Sequence, residues 1–365
     1  MPRRVVLAGA AGGLIIAALV MLGVVEPLEL ALYDRLFEWR GPRPPRTGIV
    51  IVAIDDASVR ELDQWPFTRA TYARVIDRVR AGVPLAIGLD LIFDTPSVLG
   101  GEDDAAFGAA VTRAGNVVLA AAPLTEDLGF MATFDLHMPI RGIRAGARHV
   151  GHVSNPLDRD GGMRAGLISS PESYQGLPAF GIAVLDVAKH AGMPVARIPT
   201  SPTARVNFRG APRTFPRVSF YRVLRGEVGA DVFRGKIVLV GATGALIHDS
   251  VRTPFAHVGG MPGVEFLANL IETLAVGNHV REVPALLSAV VALLAGVALG
   301  LLARRRPGLA LPFAAVVIVV IVGAAYFTFV LFDVWFRVAG PALAFALALV
   351  FTVAPGRVSV PAAER

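Results

Sequence analysis

The sequence predicts an α/β extracytoplasmic domain, with a mainly parallel sheet and flanking helices, joined to four transmembrane α-helices. Two observations support this fold class. Long uncharged stretches bounded by arginines lie towards both ends of a chain in which 54% of the residues are hydrophobic. Between them, Ile49-Val50-Ile51-Val52-Ala53-Ile54 is a continuous apolar run, typical of a strand that is buried on both faces of a parallel sheet.

Four stretches are long and apolar enough to cross a bilayer as helices, which takes about 20 residues. They are 5–25, 284–303, 308–332 and 338–354. A cleaved signal peptide is the alternative for the first stretch, but no small-x-small cleavage site follows before Glu26-Pro27. Buried core helices are the alternative for the other three, although a core rarely needs three such helices in a row.

Arginines at the ends of these stretches predict their orientation in the membrane. They are Arg3, Arg4, Arg304, Arg305, Arg306, Arg357 and Arg365. Because basic residues favour the cytoplasmic side, residues 1–4, 304–307 and 355–365 are predicted to be cytoplasmic. Residues 26–282 and the short turn 333–337 then face the periplasm or the cell exterior, and both termini lie inside. The predicted location is the plasma (inner) membrane.

The same arginines argue against a nucleic-acid partner. Together with Glu364 they account for the whole formal net charge of +6, so the central region is neutral overall. The chain also has no cysteine, which excludes disulfides and thiolate chemistry.

The first half of the outward region predicts alternating helices and strands. A helix over 26–40 ends at a proline-rich break, strand 49–54 follows, and Thr68 caps a helix over 69–80. Together with strand 84–91 these elements predict a right-handed βαβ unit. A helix that opens at Glu102 and closes at Gly115 then leads to a strand over 116–122.

The second half is less regular. The turn at Asp158-Arg159-Asp160-Gly161-Gly162 predicts an antiparallel pair of strands at 150–153 and 163–168. The further predictions are helices over 178–191 and 217–224, a strand over 236–240 and a helix over 262–276.

Carboxylates follow two of the predicted strands, which we expect to be adjacent. Asp55 and Asp56 follow the first strand, and Asp90 and Asp94 end the second. Open α/β sheets bind ligands outside the carboxyl ends of their strands, and clustered carboxylates suit Mg²⁺, Ca²⁺ or a cationic ligand. The alternative is that these aspartates cap turns and helices and pair with Arg69 or with Arg60.

The turn Gly241-Ala242-Thr243-Gly244 lacks the lysine of a P-loop, which favours a plain tight turn. His248, Asp249 and Arg252 follow this turn, and they border the same crevice if strand 236–240 is a neighbouring strand. Asp158-x-Asp160-Gly161 is similar to the start of a calcium loop, but Met163 and Ala165 stand where further oxygen ligands belong. The predicted ligand-binding residues are therefore Asp55, Asp56, Arg69, Asp90, Asp94, Thr243 and Asp249, and no catalytic residue, metal site or cofactor is predicted.

Several segments resemble a known family when they are taken in order. They are Trp65-Pro66-Phe67-Thr68-Arg69, Ile87-Gly88-Leu89-Asp90-Leu91-Ile92-Phe93-Asp94, Gly151-His152-Val153 with Asp158-x-Asp160-Gly161-x-x-Arg164, Gly235-Lys236-Ile237-Val238-Leu239-Val240-Gly241 and Met261-Pro262-Gly263-Val264-Glu265. The set, and the layout of one membrane helix before and three after it, resembles the type-two CHASE sensor domain of bacterial cyclases and kinases. The resemblance covers residues 26–282.

This resemblance implies a sensory input domain and not an enzyme. Its expected partners are the lipid bilayer, a small-molecule or ionic signal, and a cytoplasmic cyclase or kinase output protein, as in two-component systems, or a second copy of the chain. Residues 355–365 are too few for a catalytic domain, so we expect a stand-alone sensor or the sensor portion of a longer protein. The alternatives are an anchored extracytoplasmic metal-dependent hydrolase and a membrane scaffold without a ligand.

Overall fold

Residues 2–127, 132–247 and 249–353 are described by a computed structural model of the protein. The chain divides into two compact units. One consists of residues 41–279, and the other combines the chain up to Arg40 with the chain from Val280 onward. His248, Arg357 and the predicted cytoplasmic tail 355–365 lie outside the described residues.

The described residues contain helices along the whole chain and strands mostly in the unit 41–279. The helices are α1 (Pro2–Met21), α2 (Glu26–Arg40), α3 (Asp56–Leu62), α4 (Arg69–Arg80), α5 (Gly101–Ala114), α6 (Arg141–Arg144), α7 (Phe180–His190), α8 (Phe220–Arg225), α9 (Gly263–Val276), α10 (Ala285–Arg305), α11 (Pro307–Phe332) and α12 (Ala339–Val353). The strands are β1 (Ile49–Ile54), β2 (Ala86–Asp90), β3 (Val117–Asp127), β4 (Ala132–His137), β5 (His149–His152), β6 (Ala165–Leu167), β7 (Thr203–Arg205), β8 (Arg217–Ser219), β9 (Ile237–Ala242), β10 (Ser250–Thr253), β11 (Ala256–Pro262), β12 (Arg281–Glu282) and β13 (Val334–Trp335).

A seven-stranded mixed sheet forms the centre of the unit 41–279. The strand order is β4-β3-β2-β9-β1-β8, and β5 also pairs with β3. All pairs are parallel except β3–β4. The predicted α/β class, with a mainly parallel sheet and flanking helices, is confirmed.

The strand β9 lies between β1 and β2. Ile49–Ile54 pairs in register with Ile237–Ala242, and β9 in turn pairs with Ala86–Asp90 on its other side. The prediction that β1 and β2 are adjacent is therefore wrong. Every residue of β1 and of β9 is buried, so these two strands occupy the positions in the sheet that are covered on both faces.

Helices cover both faces of this sheet. On one face, alternate strand residues such as Val52, Leu89 and Val240 form a single hydrophobic core with α4, α5 and α8. On the other face, α7 and α9 contact the central strands. A Cβ atom at Gly241 would lie 2.7 Å from Cβ of Val264, so glycine is required where α9 crosses β9.

The predicted element boundaries agree best with the structure where the sequence shows helix caps and helical spacing of apolar residues. The helix α4 spans Arg69–Arg80 as predicted, and the side chain of Thr68 caps it by accepting a hydrogen bond from the amide of Thr71. The predicted antiparallel pair at 150–153 and 163–168 is wrong, because β5 pairs in parallel with β3 and β6 pairs with β7. The predicted helix over 217–224 is β8 followed by α8.

In the other unit, α10 and α11 are each long and apolar enough to cross a membrane. The helices α1 and α2 meet at a bend of 79° and qualify only as one broken span, and α12 is apolar but shorter. The described residues thus contain two candidate spans, or three if the bent pair counts as one.

Glycines bring α1 and α10 into backbone contact. A Cβ atom at Gly9 would lie 2.6 Å from the carbonyl oxygen of Gly296, and one at Gly296 would lie 2.8 Å from Cα of Gly13. Gly9 and Gly13 are four residues apart, as are Gly296 and Gly300. Both helices therefore carry the small-residue spacing that lets membrane helices approach closely.

Candidate ligand-binding crevice

The carboxyl ends of the central strands meet at one edge of the sheet. Asp55 follows β1, Thr243 follows β9, and Asp90 is the last residue of β2. The amides of Thr243 and Gly244 both donate to the carbonyl of Ile54, at 2.9 and 3.1 Å, which holds the two strand ends together. β9 is thus a neighbour of β1, which is the condition under which Asp249 was predicted to border the crevice.

Asp55 acts as the N-cap of α3. Its carboxylate accepts hydrogen bonds from the Ser58 amide at 2.8 Å, from the Ser58 hydroxyl at 2.6 Å and from the Ser219 hydroxyl at 2.6 Å. Burial acts to raise the pKa of Asp55, but the bonds from Ser219 and Ser58 outweigh it and hold the pKa below its usual value. Asp56 accepts a bond from the Leu246 amide at 3.2 Å. The capping alternative is confirmed for Asp55.

Arg69 and Asp94 are held by other partners. Nε of Arg69 lies 3.3 Å from Oδ1 of Asp104, and its guanidinium carbon lies 4.7 Å from the centre of the Phe93 ring. Asp94 contacts Nδ1 of His137. Arg69 lines a separate cavity of about 290 Å³. These two predicted residues therefore do not join Asp55 in one site.

Asp90 and Asp249 are the predicted carboxylates that come together. Burial of its carboxyl group, followed by the nearby charge of Asp249, raises the pKa of Asp90 to about 8. Burial also raises the pKa of Asp249. A Cβ atom at Gly263 would lie 2.9 Å from both carboxylate oxygens of Asp249, which places that carboxylate at the first residue of α9.

A crevice of about 350 Å³ opens beside this pair. Its lining residues are Pro212, Arg213, Arg217, Thr243, Gly244, Ala245, Asp249, Ser250, Gly259, Gly260 and Pro262. Of the predicted residues, Thr243 and Asp249 lie here. Arg213 and Arg217 were not among the predicted residues. Arg217 begins β8 and Arg213 lies four residues before it, and no local signal in the sequence shows that this segment lies beside the end of β9.

Arg213 has an unusual backbone conformation at the rim of this crevice. Its φ is +81°, in the left-handed region that non-glycine residues rarely adopt. The carboxylate of Glu265 accepts the Arg213 amide at 2.7 Å and the Thr214 amide at 3.0 Å, and so holds the turn. A strained residue held in this way is typical of a functional position.

Buried polar side chains follow one another along α9 from Glu265 towards its C-terminal end. Asn269, one turn after Glu265, accepts a hydrogen bond from the Arg209 amide at 2.9 Å. Near the other end of α9, Glu272 accepts the amides of Arg46 at 2.7 Å and of Thr47 at 2.9 Å. Glu272 also pairs with the buried guanidinium of Arg209 at 2.8 Å.

The residues that are similar to a calcium loop form an arginine-centred turn. The guanidinium of Arg164, which is fully buried, binds both oxygens of Asp160 at 2.8 Å and one oxygen of Asp158 at 3.0 Å. The Gly161 amide closes the turn on the Asp158 carbonyl at 2.8 Å, which confirms the predicted turn. Within the described residues, no group of three or more His, Cys, Asp or Glu side chains is placed to hold a metal ion.

The CHASE2 domain family matches residues 11–302 of the chain. Neither a curated protein nor a solved structure gives a significant match. The matched range includes every strand of the central sheet and the whole crevice. It also contains all the segments that carry the resemblance to the type-two CHASE domain, so the chain belongs to the CHASE2 domain family.

Proposed function

We propose that the chain is a membrane-anchored sensor, which binds a small-molecule or ionic signal in the crevice of its unit 41–279. It relays this signal through its membrane helices to a cytoplasmic kinase or cyclase, or to a second copy of the chain. The observation that carries the proposal is the family match, because CHASE2 domains are extracellular sensor domains. The apolar helices α10 and α11 are compatible with membrane anchoring.

The proposed topology has four spans, formed by α1, α10, α11 and α12, with the unit 41–279 in the periplasm or outside the cell. Both termini lie in the cytoplasm. Its main support is Arg304-Arg305-Arg306 between α10 and α11, because clustered arginines favour the cytoplasmic side.

Cysteine labelling tests this topology without background, because the natural chain has no cysteine. In intact cells or spheroplasts, a membrane-impermeant maleimide should label Val258→Cys and should label Arg305→Cys only after the membrane is opened. Val258 is 95% exposed and Arg305 is also exposed, so neither side chain is shielded by the protein. Labelling of both variants, or of Arg305→Cys alone, in sealed cells contradicts the proposed orientation.

The proposed route of the signal is α9. Glu265 near its start holds the backbone of Arg213, whose side chain lines the crevice. Glu272 lies seven residues further on, about 10 Å along the helix axis, and holds Arg46 and Thr47. Arg46 and Thr47 lie a few residues after Gly41, the first residue of the unit. The helix α9 ends at Val276, three residues before His279, the last residue of the unit. Helix shifts of 1–2 Å are a known mode of switching.

Hydrogen exchange on the full chain tests the relay. The solutes are inorganic phosphate, succinate, glycine, putrescine and Mg²⁺, and we expect at least one of them to change the exchange of the Arg46 and Thr47 amides. In Glu272→Gln the same solute should still bind, within about threefold in Kd, but the change at these amides should be lost because a neutral amide holds them less strongly.

The matched control is Glu61→Gln, which removes an exposed carboxylate paired with Arg225 and should respond as the wild type does. A solute that binds in the crevice without altering exchange at Arg46 and Thr47 contradicts the relay. If no solute of either charge binds, the ligand-free scaffold is the better description.

A further inference from the structure

Two guanidinium groups line the crevice without a direct side-chain partner among the described residues. Among the described residues, neither Arg213 nor Arg217 makes a side-chain hydrogen bond or an ion pair within 4 Å. Burial, followed by the like charge of Arg213, lowers the pKa of Arg217. Arg213 is exposed and Arg217 is half-buried. Bringing a half-buried cation close to a second cation has a free-energy cost that a bound anion would relieve.

A neutral donor lies in the same crevice. The hydroxyl oxygen of Thr243 is buried and has no hydrogen-bond partner within the described part of the chain. Buried hydroxyls are normally hydrogen-bonded, so an unpartnered one at the wall of a crevice points to a missing ligand atom or water. Gly260 forms part of the wall beside Ser250, where a Cβ atom would lie 2.8 Å from the serine hydroxyl. The glycine therefore leaves that hydroxyl accessible.

Among the described residues that line the crevice, Asp249 is the one that is acidic. Its negative charge opposes an anion, but two guanidinium groups line the same crevice. The carboxylates of Glu265 and Asp55 also act on Arg217, but they already accept hydrogen bonds from the Arg213 amide and from the Ser219 hydroxyl. Burial raises the pKa of Asp249 and so favours its protonated form, which repels an anion less. The two guanidinium groups in the lining therefore favour an anion over the cationic ligand that the aspartates alone suggested.

We infer that the crevice binds the carboxylate or phosphate group of a small anionic solute, with Arg213 and Arg217 as its charged partners and Thr243 as a neutral donor. This inference rests on the proposed function and names the chemical class of its signal. A volume of about 350 Å³ suits a small metabolite. The strained backbone of Arg213, held by Glu265, gives the anion a direct connection to α9.

Equilibrium binding to the full chain in nanodiscs tests the inference, with inorganic phosphate and succinate as separate probes. At least one of them should bind saturably to the wild type, and which one binds distinguishes a phosphate site from a carboxylate site. In Arg213→Gln/Arg217→Gln, binding of that probe should weaken at least tenfold. The matched control Arg222→Gln/Arg225→Gln removes two exposed guanidinium groups of α8 that pair with Glu227 and Glu61, and should bind as the wild type does.

Asp249→Asn should change ligand affinity in opposite directions at an anion site and at a cation site. Removing this negative charge should leave anion binding unchanged or tighter, whereas it should abolish the binding of putrescine at a cation site. Binding of putrescine that depends on Asp249, with no binding of either anion, overturns the inference but leaves the sensor proposal standing. An anion that binds the double arginine variant as tightly as the wild type also overturns the inference.

Discussion

Replacing Arg164 with methionine should lower the free energy of unfolding of the unit 41–279 by about 3 kcal/mol. The guanidinium of Arg164 is fully buried and is the charged partner of Asp158 and Asp160, whose side chains are only 19% and 15% exposed. Methionine fills a similar volume but leaves both carboxylates poorly solvated. Each then keeps a longer ion pair, Asp158 with Arg205 at 3.9 Å and Asp160 with Arg252 at 3.7 Å. Urea denaturation of the solubilised chain, followed by the fluorescence of Trp65 in a background with Trp39 and Trp335 replaced by phenylalanine, measures the loss.

The control for this prediction is Arg225→Met. Arg225 pairs with Glu61 at 2.9 Å, but both side chains are nearly half exposed. Exposed pairs contribute at most about 1 kcal/mol, so this variant should unfold close to the wild type. Equal losses in the two variants would show that the burial of Arg164 is not the source of its effect.

The pH dependence of stability should change with Arg164. The hydrogen bonds from Arg164 are the largest cause that lowers the pKa of Asp160, from 3.8 to about 2. A lowered pKa stabilises the folded state above the unfolded value, and this stabilisation is lost as the pH falls from about 4 towards 2. The wild type should therefore lose stability across that window, and Arg164→Met should lose less there. Denaturation series at several pH values measure this difference.

Helices and strands whose formation depends on residues close together in the sequence could be predicted from the sequence. The helix α4 follows from the Thr68 cap and from apolar residues at helical spacing, and β1 follows from its continuous apolar run. Strand order could not be predicted, because β9 reaches its place between β1 and β2 from far along the chain. Nothing near β1 or β2 signals that another strand separates them.

The candidate site was only partly predictable for the same reason. Asp55 binds the neighbouring Ser58, but it also binds Ser219, and Asp94 contacts His137; these last two partners are distant in sequence. One signal was available, since Glu265, Asn269 and Glu272 fall on one side of an otherwise apolar helix. Amphipathic spacing assigns such residues to solvent. They are buried here, and backbone amides of two distant segments, 46–47 and 209–214, donate hydrogen bonds to them.

The second large effect should come from Gly296→Leu, which should destabilise the packing of α1 against α10 by roughly 3 kcal/mol. A Cβ atom at this position would lie 2.5 Å from the carbonyl oxygen of Gly9 and 2.8 Å from Cα of Gly13. Both are backbone atoms, so relief requires the helices to separate, and the contacts along the whole interface are lost with them. Thermal unfolding of the chain in detergent, followed by circular dichroism of the helices, measures the effect.

Gly323→Leu is the matched control, because it makes the same chemical change within α11. No atom lies within 4 Å of the position that its Cβ would occupy, so the added side chain meets open space. Its unfolding midpoint should stay close to that of the wild type, whereas that of Gly296→Leu should fall. Equal midpoints for the two leucine variants would mean that α1 and α10 do not depend on backbone contact. The proposed relay follows the chain from α9 into α10, so Gly296→Leu should also alter any response that depends on the pairing of α10 with α1.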